Sequence, residues 1–215
     1  MKLFLTSNGL TNYVLRNKFV ELLEKNPKEA NVAFINTASK VQDDNGYVET
    51  DLQNLKKTGV KNISLVDISE PKENWQNNLF ETDVIWMEGG NTFYLLEELR
   101  KSGLTKDLKD VVKEKLYVGV SAGSIIVGPT ITIANVEPPD INSIGMTDFS
   151  ALSWVNFELS PHTTNFVPLE NVEKFAKESP YTIYAYDDNV ALLIQNEKVG
   201  FVGNGFNKIF LSPQP

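Results

Sequence analysis

The stretch Leu116-Tyr-Val-Gly-Val-Ser-Ala-Gly123 constrains the fold more than any other part of the chain. Residues 116–120 are a short apolar run with β-branched members, the pattern of a buried strand. The run stops at Gly119-Val120-Ser121-Ala122-Gly123, which has the form G-x-S-x-G. That form sets a serine on a sharp strand-to-helix turn, with its hydroxyl at the end of a sheet. The flanking glycines suit a turn that leaves no room for Cβ atoms beside the serine. Apolar Ile125-Ile126-Val127 then starts a helix, and Gly128-Pro129 ends it early. A helix N-terminus directly behind the serine offers free N–H groups and a positive dipole end to a developing oxyanion. An ordinary strand–turn–helix crossing could carry the same five residues, so a second signal is needed.

Histidine supplies it. The chain has one, His162, in Leu159-Ser-Pro-His-Thr-Thr-Asn165. A lone histidine is more often structural than catalytic, but this one lies in a polar, loop-like context after Pro161. If Ser121 has a histidine base, His162 is the only candidate.

The remaining pattern gives the architecture. Lys2–Thr6, Asn31–Asn36, Ile63–Val66 and Val84–Met87 read as strands, alternating with helices. One helix carries Leu15, Phe19, Leu22 and Leu23 and ends near Asn26-Pro27; another runs from Tyr47 to Thr58, closed by Gly59. Pro71–Phe80 is a candidate helix, Phe93 to Leu99 lies on a further one, and Leu104–Lys115 is the last before the serine strand. Such alternation predicts an α/β fold, a mainly parallel sheet with helices on both faces. After Pro129 a long Asn/Ser/Gly-rich loop falls between Ser121 and His162, and Pro168–Glu178 is a helix. Thr182–Tyr186, Ala191–Gln195, Val199–Val202 and Lys208–Leu211 look like closing strands. With no linker to divide it, the chain is expected to form one domain over 1–215.

Composition narrows the chemistry. A net charge of −8 and no basic stretch argue against nucleic acid or an anionic membrane as partner. Zero cysteines exclude a thiol nucleophile and any thiolate metal site, and a single histidine makes a zinc or iron centre a poor expectation. Neither a metal nor a cofactor is expected. Leu3-Phe4-Leu5 is too short for a signal peptide or membrane span, so the default location is cytoplasmic. A homodimer is an open option.

In open α/β sheets ligands bind beyond the carboxyl ends of the strands. Two such ends carry unusual glycine chemistry: the Ser121 turn, and Gly89-Gly90-Asn91 after the fourth strand. Paired glycines opening a helix suit the second half of an oxyanion hole, although a plain tight turn would look the same. Gly89-Gly90 lacks the G-x-G-x-x-G spacing of a dinucleotide site.

Gly89-Gly-Asn-Thr-Phe93, Gly119-Val-Ser-Ala-Gly123, Pro129-Thr-Ile131 and Pro161-His-Thr-Thr-Asn165 together resemble the serine peptidases of the aspartyl dipeptidase (peptidase E) type, a group that includes cyanophycinases. The motifs keep the family's order and spacing from about Lys2 to about Gln195. The resemblance implies a class I glutamine amidotransferase-like fold, Ser121 as nucleophile, His162 as base, and oxyanion donors near Gly90 and Ala122. Small peptides are the implied substrates, hydrolysed through an acyl-enzyme. Aspartyl dipeptidases carry an Arg-rich segment after the histidine motif, whereas Asn165–Ser179 has no Arg here, only Lys174 and Lys177. Preference for an amino-terminal Asp is therefore not expected.

The acid that completes the trio has two candidate positions. Family members carry Asn-Asp after the elbow helix, where this chain has Asn135-Val136 with Glu137 next. The other position is the turn before Ala191, where the family's acid falls on Asp188, beside Asp187. Side chains alternate along an extended chain, so only one of Asp187 and Asp188 readily faces His162. Asp188 is the first expectation and Glu137 the second. Two other readings remain at this stage: a catalytically silent ligand- or partner-binding domain, and an amidase or esterase on a non-peptide acyl substrate.

Overall fold

Short apolar runs of the amino-terminal half become parallel strands joined through helices. The structure, a computed structural model, describes residues 1–71, 73 and 75–212. Strands β1 (Lys2–Thr6), β2 (Asn31–Ile35), β3 (Asn62–Val66), β4 (Val84–Met87) and β5 (Leu116–Val120) are mutually parallel where they pair. Two later strands, β8 (Val190–Gln195) and β9 (Lys198–Gly203), close the sheet antiparallel beside β1, giving the order β3-β2-β4-β5-β1-β8-β9. This is the α/β fold with a mainly parallel sheet that the strand–helix alternation predicts.

Alternation along each strand sends neighbouring side chains to opposite faces. Leu3, Leu5, Ile85, Met87 and Tyr117 enter one buried cluster; Phe4, Phe34, Val84, Trp86 and Val118 enter the other. Helices α1 (Tyr13–Leu23) and α2 (Gly46–Lys57) cover the second cluster with Leu15, Phe19, Leu52 and Leu55. Helices α4 (Thr92–Lys101) and α5 (Leu104–Val111) cover the first with Phe93, Leu96, Leu99 and Leu108. Burying one such Leu or Phe side chain is worth about 1.5–3 kcal/mol, so both faces contribute.

The structure departs from the expected elements in several places. The helix expected over 71–80 is helical at α3 (Trp75–Phe80); residues 72 and 74 lie outside the described residues, as do residues 213–215 of the expected domain. The helix behind the serine, α6, is Ala122–Ile125. Ile125 therefore ends it rather than starting it, because α6 begins immediately after Ser121. The long helix expected from Leu104 stops at Val111 and tightens to a 3₁₀ turn over Val112–Glu114. Not every late strand closes the main sheet, either. Strands β6 (Glu158–Ser160), β7 (Ile183–Tyr186) and β10 (Asn207–Phe210) form a separate three-stranded sheet. Helix α7 (Leu169–Ala176) lies between β6 and β7 in the chain and buries Val172. Among the described residues, no helix is long and apolar enough to cross a membrane.

Candidate active site

Ser121 stands at the carboxyl end of β5 with φ 47° and ψ −109°, outside any helix or strand region. A non-glycine residue in that conformation costs about 1–3 kcal/mol and persists only where its surroundings enforce it. Here they do. A Cβ on Gly119 would lie 2.6 Å from Gly123 O, and one on Gly123 would lie 2.1 Å from Met87 O. Both glycines of the G-x-S-x-G turn are therefore required by backbone-to-backbone approach. The Ser121 N–H donates to Thr6 O at 3.0 Å, Ser124 Oγ donates to the same carbonyl at 2.8 Å, and Tyr117 Oη donates to Gly123 O at 2.7 Å.

His162 follows β6, the strand of the second sheet that ends just before Pro161. It too has a positive φ, 58°. Its N–H donates to Ser7 Oγ, and its carbonyl accepts from the N–H groups of Asn165, Phe166 and Val167. The imidazole bridges two other side chains. Its Nε2 lies 3.0 Å from Ser121 Oγ, and its Nδ1 lies 2.6 Å from Asp188 Oδ1. Asp188 sits in the turn between β7 and β8, fixed by its N–H to Asn165 Oδ1 at 2.8 Å and by Thr11 Oγ1 donating to its carbonyl at 3.0 Å. About a quarter of each side chain, 24% for His162 and 25% for Asp188, stays exposed, so the pair opens to the cleft.

Neighbouring Asp187 turns the other way, as alternation requires. Its carboxylate accepts the N–H groups of Asn189 and Phe206 and caps the turn. Glu137 is exposed, and none of the hydrogen bonds of His162 reaches it. The glycine pair divides its work. Gly89 donates its N–H to Glu88 Oε1 at 2.9 Å, and among the described residues the N–H groups of Gly90 and Ala122 meet no protein acceptor. Asn91 is the N-cap of α4: its Oδ1 accepts from Tyr94 N–H at 2.9 Å, while its amide donates to Ile141 O at 2.8 Å. It holds the loop after residue 140 in place and does not line the cleft.

The cleft over Ser121 has a volume of about 490 Å³, which suits a ligand the size of a short peptide. Sequence reasoning missed one of its walls. Asp51 and Tyr47 lie one turn apart on α2, and Glu88 follows β4; all three line the cleft, with Asp140 beside them. Burial pushes the Asp51 carboxyl up to about 6, against the opposing effects of a hydrogen bond with Glu88 and the His162 charge. Burial, then the Asp51 charge, raises Glu88 well above the carboxylate range. Burial raises Asp140 as well. The same surroundings, burial first and then Glu88 and Asp140, raise the Tyr47 phenol and keep it protonated. The i, i+4 spacing of Tyr47 and Asp51 and the acid at the end of β4 were the available signals.

Known proteins share this fold and sequence. The family model described as Peptidase family S51 matches residues 3–202. An uncharacterized peptidase of Listeria monocytogenes, Lmo0363, is 32% identical over 200 residues, covering 92% of this chain and 96% of its own. A peptidase E of Shewanella denitrificans is 30% identical, covering 92% of this chain and 84% of its own. A crystal structure of a Listeria monocytogenes protein described as a candidate peptidase E superposes with a TM-score of 0.82 at 32% identity, over 95% of this chain and 98% of that one. The fold is accordingly of the class I glutamine amidotransferase-like type that the motifs imply. With a match along nearly the whole sequence, the chain belongs to peptidase family S51 and is a serine peptidase.

Proposed function

We propose that the chain is an exopeptidase or dipeptidase that hydrolyses small peptides through an acyl-enzyme on Ser121. The observation that carries this is the unbroken relay from Ser121 Oγ to His162 Nε2 at 3.0 Å and from His162 Nδ1 to Asp188 Oδ1 at 2.6 Å. A nucleophile within reach of a base that is itself oriented by a third group is the arrangement acyl transfer requires.

His162 takes the hydroxyl proton as Ser121 Oγ bonds to the peptide carbonyl carbon. Charge that develops on the carbonyl oxygen is met by the N–H groups of Ala122 and Gly90. The carbon–nitrogen bond then breaks, and the leaving amine takes the proton from His162. Water repeats the sequence on the ester and frees Ser121. Asp188 holds the Nδ1–H tautomer and stabilises the imidazolium. A strained serine conformation that exposes the hydroxyl fits this role.

The test is hydrolysis of a dipeptide panel by the wild type and by Ser121→Ala. Turnover that disappears in the variant supports the reading. Turnover that persists, or its absence in the wild type with every dipeptide, favours a silent domain or a non-peptide acyl substrate.

A further inference from the structure

The two walls of the cleft differ in chemistry in a way that the serine relay does not use. One is acidic, built by Asp51, Glu88 and Asp140 around the Tyr47 hydroxyl. The other is apolar, built by Ile125, Ile133, Val136 and Phe166. Among the described residues that line the cleft, none is Lys or Arg, and His162 is the one group that can carry a positive charge.

Asp51 is the group left unsatisfied. It is 2% exposed and lines the cleft, yet no backbone, amide or hydroxyl group of the described residues donates to its Oδ2, and the side chain it shares a hydrogen bond with is another acid, Glu88. Two buried acids side by side, with no lysine or arginine among the described lining residues, are costly, and a cationic partner from outside is one thing that offsets that cost. Glu88 differs: its Oε2 accepts from Trp86 Nε1 at 2.8 Å and its Oε1 from Gly89 N–H at 2.9 Å. Glu88 thus shapes the glycine turn from behind and, kept protonated by burial and by the Asp51 charge, shares a hydrogen bond with Asp51. Among the described residues no group of three or more His, Cys, Asp or Glu side chains is arranged to hold a metal ion.

Covalent geometry then fixes what the acidic wall can meet. In a peptide cleaved after its first residue, the α-ammonium nitrogen is two bonds from the carbonyl carbon that Ser121 attacks. The ammonium must therefore lie close to the serine. The acidic wall is near it: Asp51 and Asp140 line the same cleft as Ser121, and both feel the charge of His162, whose ring meets the serine hydroxyl. With the ammonium on this wall, the first side chain is directed to the apolar side of the cleft. An acidic first side chain would meet apolar residues there, with the acids opposite and no arginine or lysine among the described lining residues.

We propose that the cleft selects peptides with a free amino terminus and an apolar first side chain. Asp51 receives the ammonium, the wall of Ile133, Val136 and Phe166 receives the side chain, and peptides beginning with Asp or Glu are excluded. This substrate class rests on the peptidase reading above and goes beyond it.

The experiment compares kcat/KM for Leu-first and Asp-first dipeptides and for the N-acetylated Leu-first peptide, in the wild type and in Asp51→Asn. In the wild type the Leu-first peptide should exceed the Asp-first one by about tenfold or more, the scale on which an apolar pocket discriminates. Acetylation should cost about 100-fold, the scale of leaving a buried charge without its partner. Asp51→Asn should bring the free peptide down to about the rate of the acetylated one, abolishing the free-amine preference. An Asp-first peptide that matches or exceeds the Leu-first one, or an acetylated peptide cut as fast as the free one, overturns the proposal without recourse to a variant. A free-amine preference that survives in Asp51→Asn overturns the role of Asp51. Fluorophosphonate labelling of Ser121 in Asp51→Asn separates the two levels: labelling that persists shows the serine chemistry intact, whatever the substrate panel returns. If the wild type itself fails to label, the peptidase reading fails first.

Discussion

The catalytic arm and the acidic wall face one cleft and treat charge in opposite ways. Around Ser121, the Asp188 carboxylate meets the His162 ring, and the ring meets the serine hydroxyl. Across the cleft, Asp51 and Glu88 are crowded together, 2% and 0% exposed, and share a hydrogen bond between two acids. In the arm each of these polar groups has a partner. The wall packs acids together with no lysine or arginine beside them among the described residues, so burial raises their pKa values and ionising them comes at a cost. A fold that keeps both invests backbone strain in the nucleophile and electrostatic strain in the wall that faces it.

Breaking the arm should have the largest effect. His162→Ala should lower kcat by about 10⁴-fold or more, and Asp188→Asn by about 10²–10⁴-fold, since the Asn leaves the wrong imidazole tautomer. Circular dichroism of both variants should match the wild type, because neither side chain belongs to a hydrophobic cluster. Steady-state kinetics on the best dipeptide decide the matter.

Breaking the wall should act on stability in the unusual direction. The folded-state Asp51 carboxyl titrates near 6, above its ordinary value of 3.8, so the native state holds a proton that the unfolded chain releases. Its contribution to stability is full below the ordinary value and is lost as pH rises through about 6. Asp51→Asn removes that loss. Its Tm at pH 8 should exceed the wild type by about 2–4 °C, the shift that roughly 1 kcal/mol gives in a chain of this size. At pH 4 the gap should close. A variant less stable than wild type at both pH values would make Asp51 a structural residue. Glu137→Gln should change least: kcat within about twofold of wild type, as for an exposed residue outside the reaction.

The catalytic arm was legible in the sequence and the wall was not, for reasons of chemistry. A serine that needs a strand-to-helix elbow must be flanked by glycines at Gly119 and Gly123, and those are visible in one chain. A single histidine leaves no choice of base, and alternation separates Asp188 from Asp187. Asp51, by contrast, lies on α2 among ordinary polar residues, and its burial depends on how α2 packs beside β4. Glu88 could be read only as the opening of a glycine turn. The three-residue strand β6 also escaped notice, since so short a run within a polar segment carries too little periodicity. Asn91 looked like part of a binding turn and proved to be a helix cap, a role that Asn in that position fills equally well.

The account stands on Ser121 being an activated nucleophile, and intact-protein mass spectrometry after treatment with a fluorophosphonate measures that directly. The wild type should gain one adduct, mapped to Ser121, and Ser121→Ala should gain none. An unlabelled wild type, or an adduct that persists in Ser121→Ala, would contradict it.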